Sequence, residues 1–401
     1  MNLFDYLERN HASFDERSFS PVDSAVLSQF CTLCAQGIVP DLRVNDDERL
    51  AARPKLDALA DRLYALTNKP ARFSDFLDVR RFGDLFKCID PDELKHLLLL
   101  LASSPRFKEL QIRDYADVFD EASHTQFAAM TFTWGKEWAY VGFRGTDESF
   151  TGWRENFDMA VDPPVPAQRM AVEYLESVAR HLPQRLYVGG HSKGGNLATY
   201  AALRCSAEVQ DRIECLFDHD GPGFKNGFLS AEDFRALEGR IDRTVPQGSV
   251  VGQLLETHSP TRVVRVEAGA IGFQQHSVFT WDVDEGMRDF RCVEKLDDAA
   301  KATNDVLNEW IDSIEEEKRP EVIDALFRAI EASGAENASA FFAGNSSVVG
   351  LVLDVARNMD EKTSEVLVPE LTRFASIAAG HTANSVRKVW GRRDAKQQPA
   401  R

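Results

Sequence analysis

Apolar residues recur along this chain with two different periods, and the changes of period divide it. From the N-terminus to about residue 120 the spacing is mainly three and four, the rhythm of helices that bury one face. Three helices are expected there, Asp23 to Gln36, Asp46 to Leu66 and Asp90 to Leu101, each opening on an acid able to cap it. The third start is the best marked. Pro91 follows Asp90 at the first helical position, where a missing N–H costs nothing. Two aromatic-rich apolar runs follow, Phe127 to Trp134 and Trp138 to Phe143, and the intervening Gly135-Lys136 predicts a hairpin. A polar helix is expected from near Glu148. Beyond a loop marked by Pro163, Pro164 and Pro166, residues Val172, Leu175, Val178 and Ala179 outline an amphipathic helix from about Gln168 to His181.

Short apolar strands are then expected at Leu186 to Val188, Ile213 to Phe217, Arg240 to Val245 and Arg262 to Val266. Strands alternating with helices predict a mostly parallel sheet covered on both faces. From about Leu296 the helical period returns, with candidates at Ala300 to Glu315, Val322 to Ser333 and Val348 to Asn358. The expected organisation is a helical N-terminal part over 1–120 packed on an α/β core over 121–295, then a helical region over 296–386. Residues 387–401 form a basic tail expected to fray.

Composition narrows the class. A chain of 401 residues with 43% hydrophobic content has ample material for a large core. Its formal net charge of −17 argues against a nucleic-acid surface and against general attraction to anionic membranes. Acids stand in the opening Met1-Asn2-Leu3-Phe4-Asp5-Tyr6-Leu7-Glu8, where a secretory signal would carry Lys or Arg. The longest apolar run, Leu97 to Ala102, is far too short to span a bilayer. A cytoplasmic location is expected. Cys31 and Cys34 form a Cys-x-x-Cys, but Val26, Leu27, Phe30, Cys31 and Cys34 share helical spacing, so these cysteines are read as core-facing. No metal or cofactor is expected.

The most informative stretch is Leu186-Tyr187-Val188-Gly189-Gly190-His191-Ser192-Lys193-Gly194-Gly195-Asn196, leading into an alanine-rich helix. Strand, Gly-x-Ser-x-Gly and helix in that order form a nucleophile elbow, a strained turn that holds the serine hydroxyl above the sheet. Ser192 is the expected nucleophile. It needs a base to take its proton and an acid to fix that base's tautomer. Chain order leaves His219, His258, His276 and His381 as candidate bases. His276 is preferred, because it lies in an aromatic-rich loop beyond the last expected strand. For the acid, the position after the second strand beyond the elbow reads Val245-Pro246-Gln247-Gly248-Ser249, without a carboxylate. Asp220, at the end of the preceding strand, is preferred, then Asp242, then Asp218. The N–H groups of Lys193 and Thr146 are the expected oxyanion donors; the Lys193 side chain is left to solvent.

These motifs together resemble a known family. Phe143-Arg144-Gly145-Thr146 and Gly190-His191-Ser192-Lys193-Gly194-Gly195 are similar to paired motifs of class 3 lipases. The match is closer to the bacterial Mbeg1-like proteins of the α/β-hydrolase superfamily, a family without a settled substrate. It rests on Asn2-Leu3-Phe4-Asp5-Tyr6, Phe19-Ser20-Pro21-Val22-Asp23, Gly152-Trp153-Arg154-Glu155-Asn156-Phe157, Asp220-Gly221-Pro222-Gly223-Phe224, Val245 to Gly252 and Gln275-His276. The resemblance runs to about residue 335. It implies an α/β-hydrolase fold with Ser192 as nucleophile and His276 as base. Class 3 lipases carry their acid after the later strand, where this chain has Gln247 and Ser249.

The expected function is therefore a serine hydrolase of esterase or lipase type acting on a small acyl-ester or lipid-like substrate. Thioester cleavage or acyl transfer by the same residues, and a hydrolase fold kept as a non-catalytic scaffold, are the alternatives. Residues 221–261, with Phe224, Phe228, Phe234, Leu254 and Leu255, suit either a lid over an acyl pocket or ordinary core packing.

Overall fold

The computed structural model describes residues 1–42, 69–270, 272–343 and 348–396; the helix expected over 46–66 lies outside them. One eight-stranded sheet runs through the molecule in the order β1 (Gln111–Asp120), β2 (Thr125–Trp134), β3 (Trp138–Phe143), β4 (Arg185–His191), β5 (Ile213–His219), β6 (Ile241–Pro246), β7 (Thr261–Val264), β8 (Cys292–Val293). Strands β3 to β7 are parallel to one another, and the antiparallel pairs lie at the two sides. Helices cover both faces. This is an α/β-hydrolase architecture.

Alternation along β3 shows how the sequence builds the layers. Trp138 and Tyr140 face a core shared with the N-terminal helices Leu3–Arg9, Pro21–Phe30 and Pro91–Ser103. Ala139, Val141 and Phe143 face the opposite core, against Pro166–His181 and Lys193–Arg204. A strand buried on both sides reads as one continuous apolar run, which is why β2 and β3 are so legible.

The helix expected from Asp23 begins earlier. Ser20 is its cap and Asp23 sits three positions in, completing a capping box behind Pro21. Asp23 also takes two hydrogen bonds from Arg106 at 2.7 and 2.6 Å, so a buried ion pair ties this helix to the end of Pro91–Ser103. The helix ends at Phe30, leaving Cys34 beyond it. Strand β1 lies within the part expected to be helical. A bulge between Arg113 and Ala116, with Asp114 at φ 55°, breaks its two-residue period and hid it.

The C-terminal helices Asp298–Ser313, Arg319–Ala332 and Glu361–Lys396 pack on a separate apolar cluster that includes Ile314, Val322, Ile330 and Leu367. Phe327 joins them to helix Phe150–Val161 through an edge contact with Phe157 at 5.4 Å. Residues 387–396, read from the sequence as a fraying tail, continue the last helix. Among the described residues, no helix is long and apolar enough to cross a membrane.

Candidate active site

The residues singled out in the sequence converge at the carboxyl ends of the parallel strands. Thr146 follows β3, Ser192 follows β4, Asp220 follows β5 and His276 follows β7. Ser192 occupies the turn at φ 59° and ψ −131°, a conformation a side-chain-bearing residue holds only where its surroundings impose it. Here they do: Ser192 N donates to His219 O at 2.9 Å, and Ser192 O accepts from Gly195 N at 2.9 Å. A Cβ at Gly190 would collide with the carbonyl of Gly194, and one at Gly194 with that of Phe143. Only glycines let the two strand ends and the helix approach this closely.

His276 Nδ1 lies 2.6 Å from Asp220 Oδ2. A carboxylate can only accept, so Nδ1 carries the proton and Nε2 is left as the basic nitrogen. The carbonyl of His276 accepts from His191 Nε2 at 2.8 Å, and the two rings lie 4.5 Å apart, which anchors His276 beside the elbow. Burial and the neighbouring His276 hold the His191 pKa well below the usual imidazole range, so this ring stays neutral. Among the described residues Ser192 Oγ makes no hydrogen bond; such contacts often close only with substrate bound.

Asp220 is fully buried at φ 53°. Its Oδ1 accepts from Ser249 Oγ at 2.5 Å and from Gly252 N at 3.1 Å. Each carboxylate oxygen is therefore engaged, one by the imidazole and one by the loop after β6. The rival acids are committed elsewhere. Asp242 holds the Arg262 guanidinium with both oxygens at 2.8 Å. Asp218 pairs with buried Arg243 and accepts from Gly221 N at 2.9 Å, bracing the turn that presents Asp220.

The rival histidines are likewise occupied. His219 is buried between Thr244 Oγ1 at 2.8 Å and Ser24 Oγ at 2.9 Å, and burial pushes its pKa down to about 3. His258 contacts Leu229 O at 3.3 Å, and His381 meets Glu309 at 2.7 Å in the C-terminal helices.

The Gly145-Thr146 turn lies against the elbow, since a Cβ at Gly145 would stand 3.5 Å from Ser192 Cβ. Thr146 Oγ1 accepts from Asn156 Nδ2 at 2.7 Å. Lys193 is the first residue of the elbow helix, where a backbone N–H has no intrahelical acceptor. Its side chain is not in solvent. It turns into the protein and pairs with Glu155, both fully buried. An alkyl stem leaving the helix start on its inner side has no route to water, so the ammonium meets an internal carboxylate instead.

Sequence reasoning missed several supports. Gln275 Oε1 accepts from Gly248 N at 2.7 Å and its Nε2 donates to Ala270 O at 3.1 Å, locking the residue before His276. Asn196 Nδ2 donates to Gly223 O at 2.9 Å, holding the loop after Asp220. Asn304 Nδ2, from the C-terminal helices, donates to Ser249 O at 2.8 Å. The first two lie in or beside the quoted motifs; Asn304 had no local signal. Phe224, Leu229, Phe234 and Leu237 are buried against the elbow helix, and Phe228 stacks on Tyr200 at 5.8 Å. Of the residues that suit a lid or the core, Phe224 and Phe234 are thus buried in the core, while Leu254 and Leu255 are half-buried. Cys31 is buried beneath Gly142, where burial keeps its thiol protonated. Among the described residues, no cluster of His, Cys, Asp or Glu is placed to hold a metal ion.

A family model described as Mbeg1-like matches residues 101–328, from before β1 to the middle of the C-terminal helices. The chain belongs to the Mbeg1-like family. Among solved structures, this Mbeg1-like protein is similar to the Rhizomucor miehei lipase propeptide complex at 18% identity and TM-score 0.30, covering 47% of this chain and 63% of that one. It is similar to lipase II from Rhizopus niveus at 17% identity and TM-score 0.32, covering 48% and 76%. The lipase from Rhizopus microsporus var. chinensis matches at 15% identity and TM-score 0.31, covering 61% and 92%. No curated protein matches the chain.

Proposed function

We propose that this Mbeg1-like protein is a serine hydrolase of lipase-like type that cleaves an acyl ester through an acyl-enzyme. Ser192 Oγ attacks the acyl carbon while His276 Nε2 takes the hydroxyl proton. Asp220 holds the imidazole in the required tautomer and balances the imidazolium charge that develops. The N–H groups of Thr146 and Lys193 receive the oxyanion. As the C–O bond to the leaving alcohol breaks, His276 returns its proton to that oxygen. Water then adds to the acyl carbon, giving its proton to His276, and Ser192 leaves with that proton as the free acid is released.

The observation that carries this reading is the 2.6 Å hydrogen bond between His276 Nδ1 and a fully buried Asp220, beside a serine at a strained elbow. His219, by contrast, is engaged at both nitrogens by hydroxyls and, among the described residues, meets no carboxylate. The chain is tested with a fluorophosphonate probe. Labelling of the folded wild type, absent in Ser192→Ala and strongly reduced in His276→Ala, is expected. A folded wild type that does not label would favour a scaffold. A panel of p-nitrophenyl esters of rising chain length, run beside acyl-CoA thioesters, identifies the acyl donor.

A further inference from the structure

In the motif Gly152-Trp153-Arg154-Glu155-Asn156-Phe157, Asn156 holds Thr146, and Glu155, which has no part in the chemistry above, reaches the residue next to Ser192. Glu155 and Lys193 are both 0% exposed, an arrangement that costs stability unless every polar atom is satisfied. Here every one is. Lys193 Nζ donates to Glu155 Oε2, to Gln126 O at 2.5 Å and to Gln126 Oε1 at 3.2 Å. Glu155 Oε2 also accepts from Gln126 N at 3.0 Å, and its Oε1 accepts from Ala167 N at 3.0 Å. The pair therefore joins β2, helix Phe150–Val161, the start of Pro166–His181 and the elbow helix.

An apolar side chain of similar volume at 193, packed against an apolar partner at 155, would avoid the cost of desolvating two charges. What the ionic pair adds is direction. Three donors on one ammonium and three accepted bonds on one carboxylate fix the Lys193 side chain. The backbone nitrogen of Lys193 is bonded to the Cα that carries this anchored side chain, one residue after a Ser192 already held at φ 59°.

We propose that the Lys193–Glu155 pair positions the Lys193 backbone N–H as an oxyanion donor. The proposal rests on the hydrolase reading above. Lys193 acts through its backbone and Glu155 acts only through Lys193, so Glu155 is a positioning residue. The neutral sum of the pair also keeps the helix start free of a net buried charge behind the developing oxyanion.

Phosphonylation is the direct readout, because the phosphoryl oxygen of the bound probe occupies the oxyanion position. Two variants are compared with wild type: Glu155→Gln, and the apolar pair Lys193→Met/Glu155→Leu. Thermal melting is followed alongside kcat and KM on a short p-nitrophenyl ester. Removing an oxyanion donor outright costs about a hundredfold or more, so misdirecting one is expected to slow phosphonylation and lower kcat by about tenfold, with KM unchanged. The apolar pair also strips Gln126 N and Ala167 N of their acceptor, so it is expected to melt below wild type as well as to react slowly. Wild-type rates in an apolar pair that still melts cooperatively would overturn the proposal. If the apolar pair does not melt cooperatively, Glu155→Gln decides, and an unchanged phosphonylation rate overturns it equally. A wild type that does not label at all defeats the hydrolase reading first, and the positioning role with it.

Discussion

Ser249 Oγ, from the loop after β6, hydrogen-bonds to Asp220 Oδ1, at the end of β5, at 2.5 Å. The end of the later strand thus supplies a hydroxyl that holds Asp220, the proposed acid, and no carboxylate. In the motif Val245-Pro246-Gln247-Gly248-Ser249, which has no carboxylate, it is the last residue that makes this contact. Ser249 is in turn held by Asn304 from the C-terminal helices, at 2.8 Å to its carbonyl. The helical region beyond the core therefore reaches the site through two hydrogen bonds.

Removing the Ser249 hydroxyl should loosen Asp220 without deleting its charge. Ser249→Ala is expected to lose about 1–2 kcal/mol of stability. It should also lower kcat by roughly tenfold through poorer orientation of His276. Urea melts and ester kinetics check both, and a variant with wild-type kcat would remove Ser249 from the account.

The two carboxylates weighed as the acid separate cleanly by substitution. Asp220→Asn should reduce ester turnover by about a thousandfold or more, since the imidazole loses both tautomer and counter-charge. Asp242→Asn should leave turnover nearly intact while lowering the melting temperature, because Arg262 loses a partner bound at 2.8 Å through both carboxylate oxygens. The reverse pattern would transfer the role to Asp242.

Gly252 presents a sharper test of geometry. Its N–H donates to Asp220 at 3.1 Å, and an added Cβ would collide with that same carboxylate oxygen and with Val245. Gly252→Ala is expected to cost about 1–3 kcal/mol and to impair turnover, as overpacking at a buried site does. Full activity at wild-type stability would mean that Asp220 can move without consequence.

Acid should weaken the fold before most carboxylates titrate. His219 has a pKa of about 3 in the folded chain against 6.5 for an exposed imidazole, and His191 is shifted in the same direction. Below pH 6.5 the unfolded chain binds protons that the folded chain refuses. The stability tied to these rings is therefore complete above that pH and is lost as pH falls from there toward the folded value. Each ring contributes a slope of about 1.4 kcal/mol per pH unit. Urea midpoints measured from pH 7 down to 5 should decline, and His219→Gln should flatten the decline. An identical slope in that variant would show that His219 takes up its proton without unfolding.

Local pattern was enough for the elbow, the hairpin and the alternating core, because each is set by contacts between residues close in sequence. The strand into Gly190-x-Ser192-x-Gly194 requires its turn wherever it folds, and β2 and β3 declare themselves by being apolar on both faces. Where the pattern was broken, it misled: the bulge at Arg113 to Ala116 disguised β1, and Ser20 rather than Asp23 caps the second helix.

Which of Asp218, Asp220 and Asp242 meets His276 is decided only in three dimensions. All three lie on or beside neighbouring strands, and what separates them is the partner each meets. Arg243 pairs with Asp218 and Arg262 with Asp242, each from a neighbouring strand and distant in sequence from the acid it meets, which leaves Asp220 to His276. Lys193 makes the same point. A lysine one position after Ser192 carries no local sign of being buried, and only the arrival of Glu155 from a separate helix makes its burial tolerable.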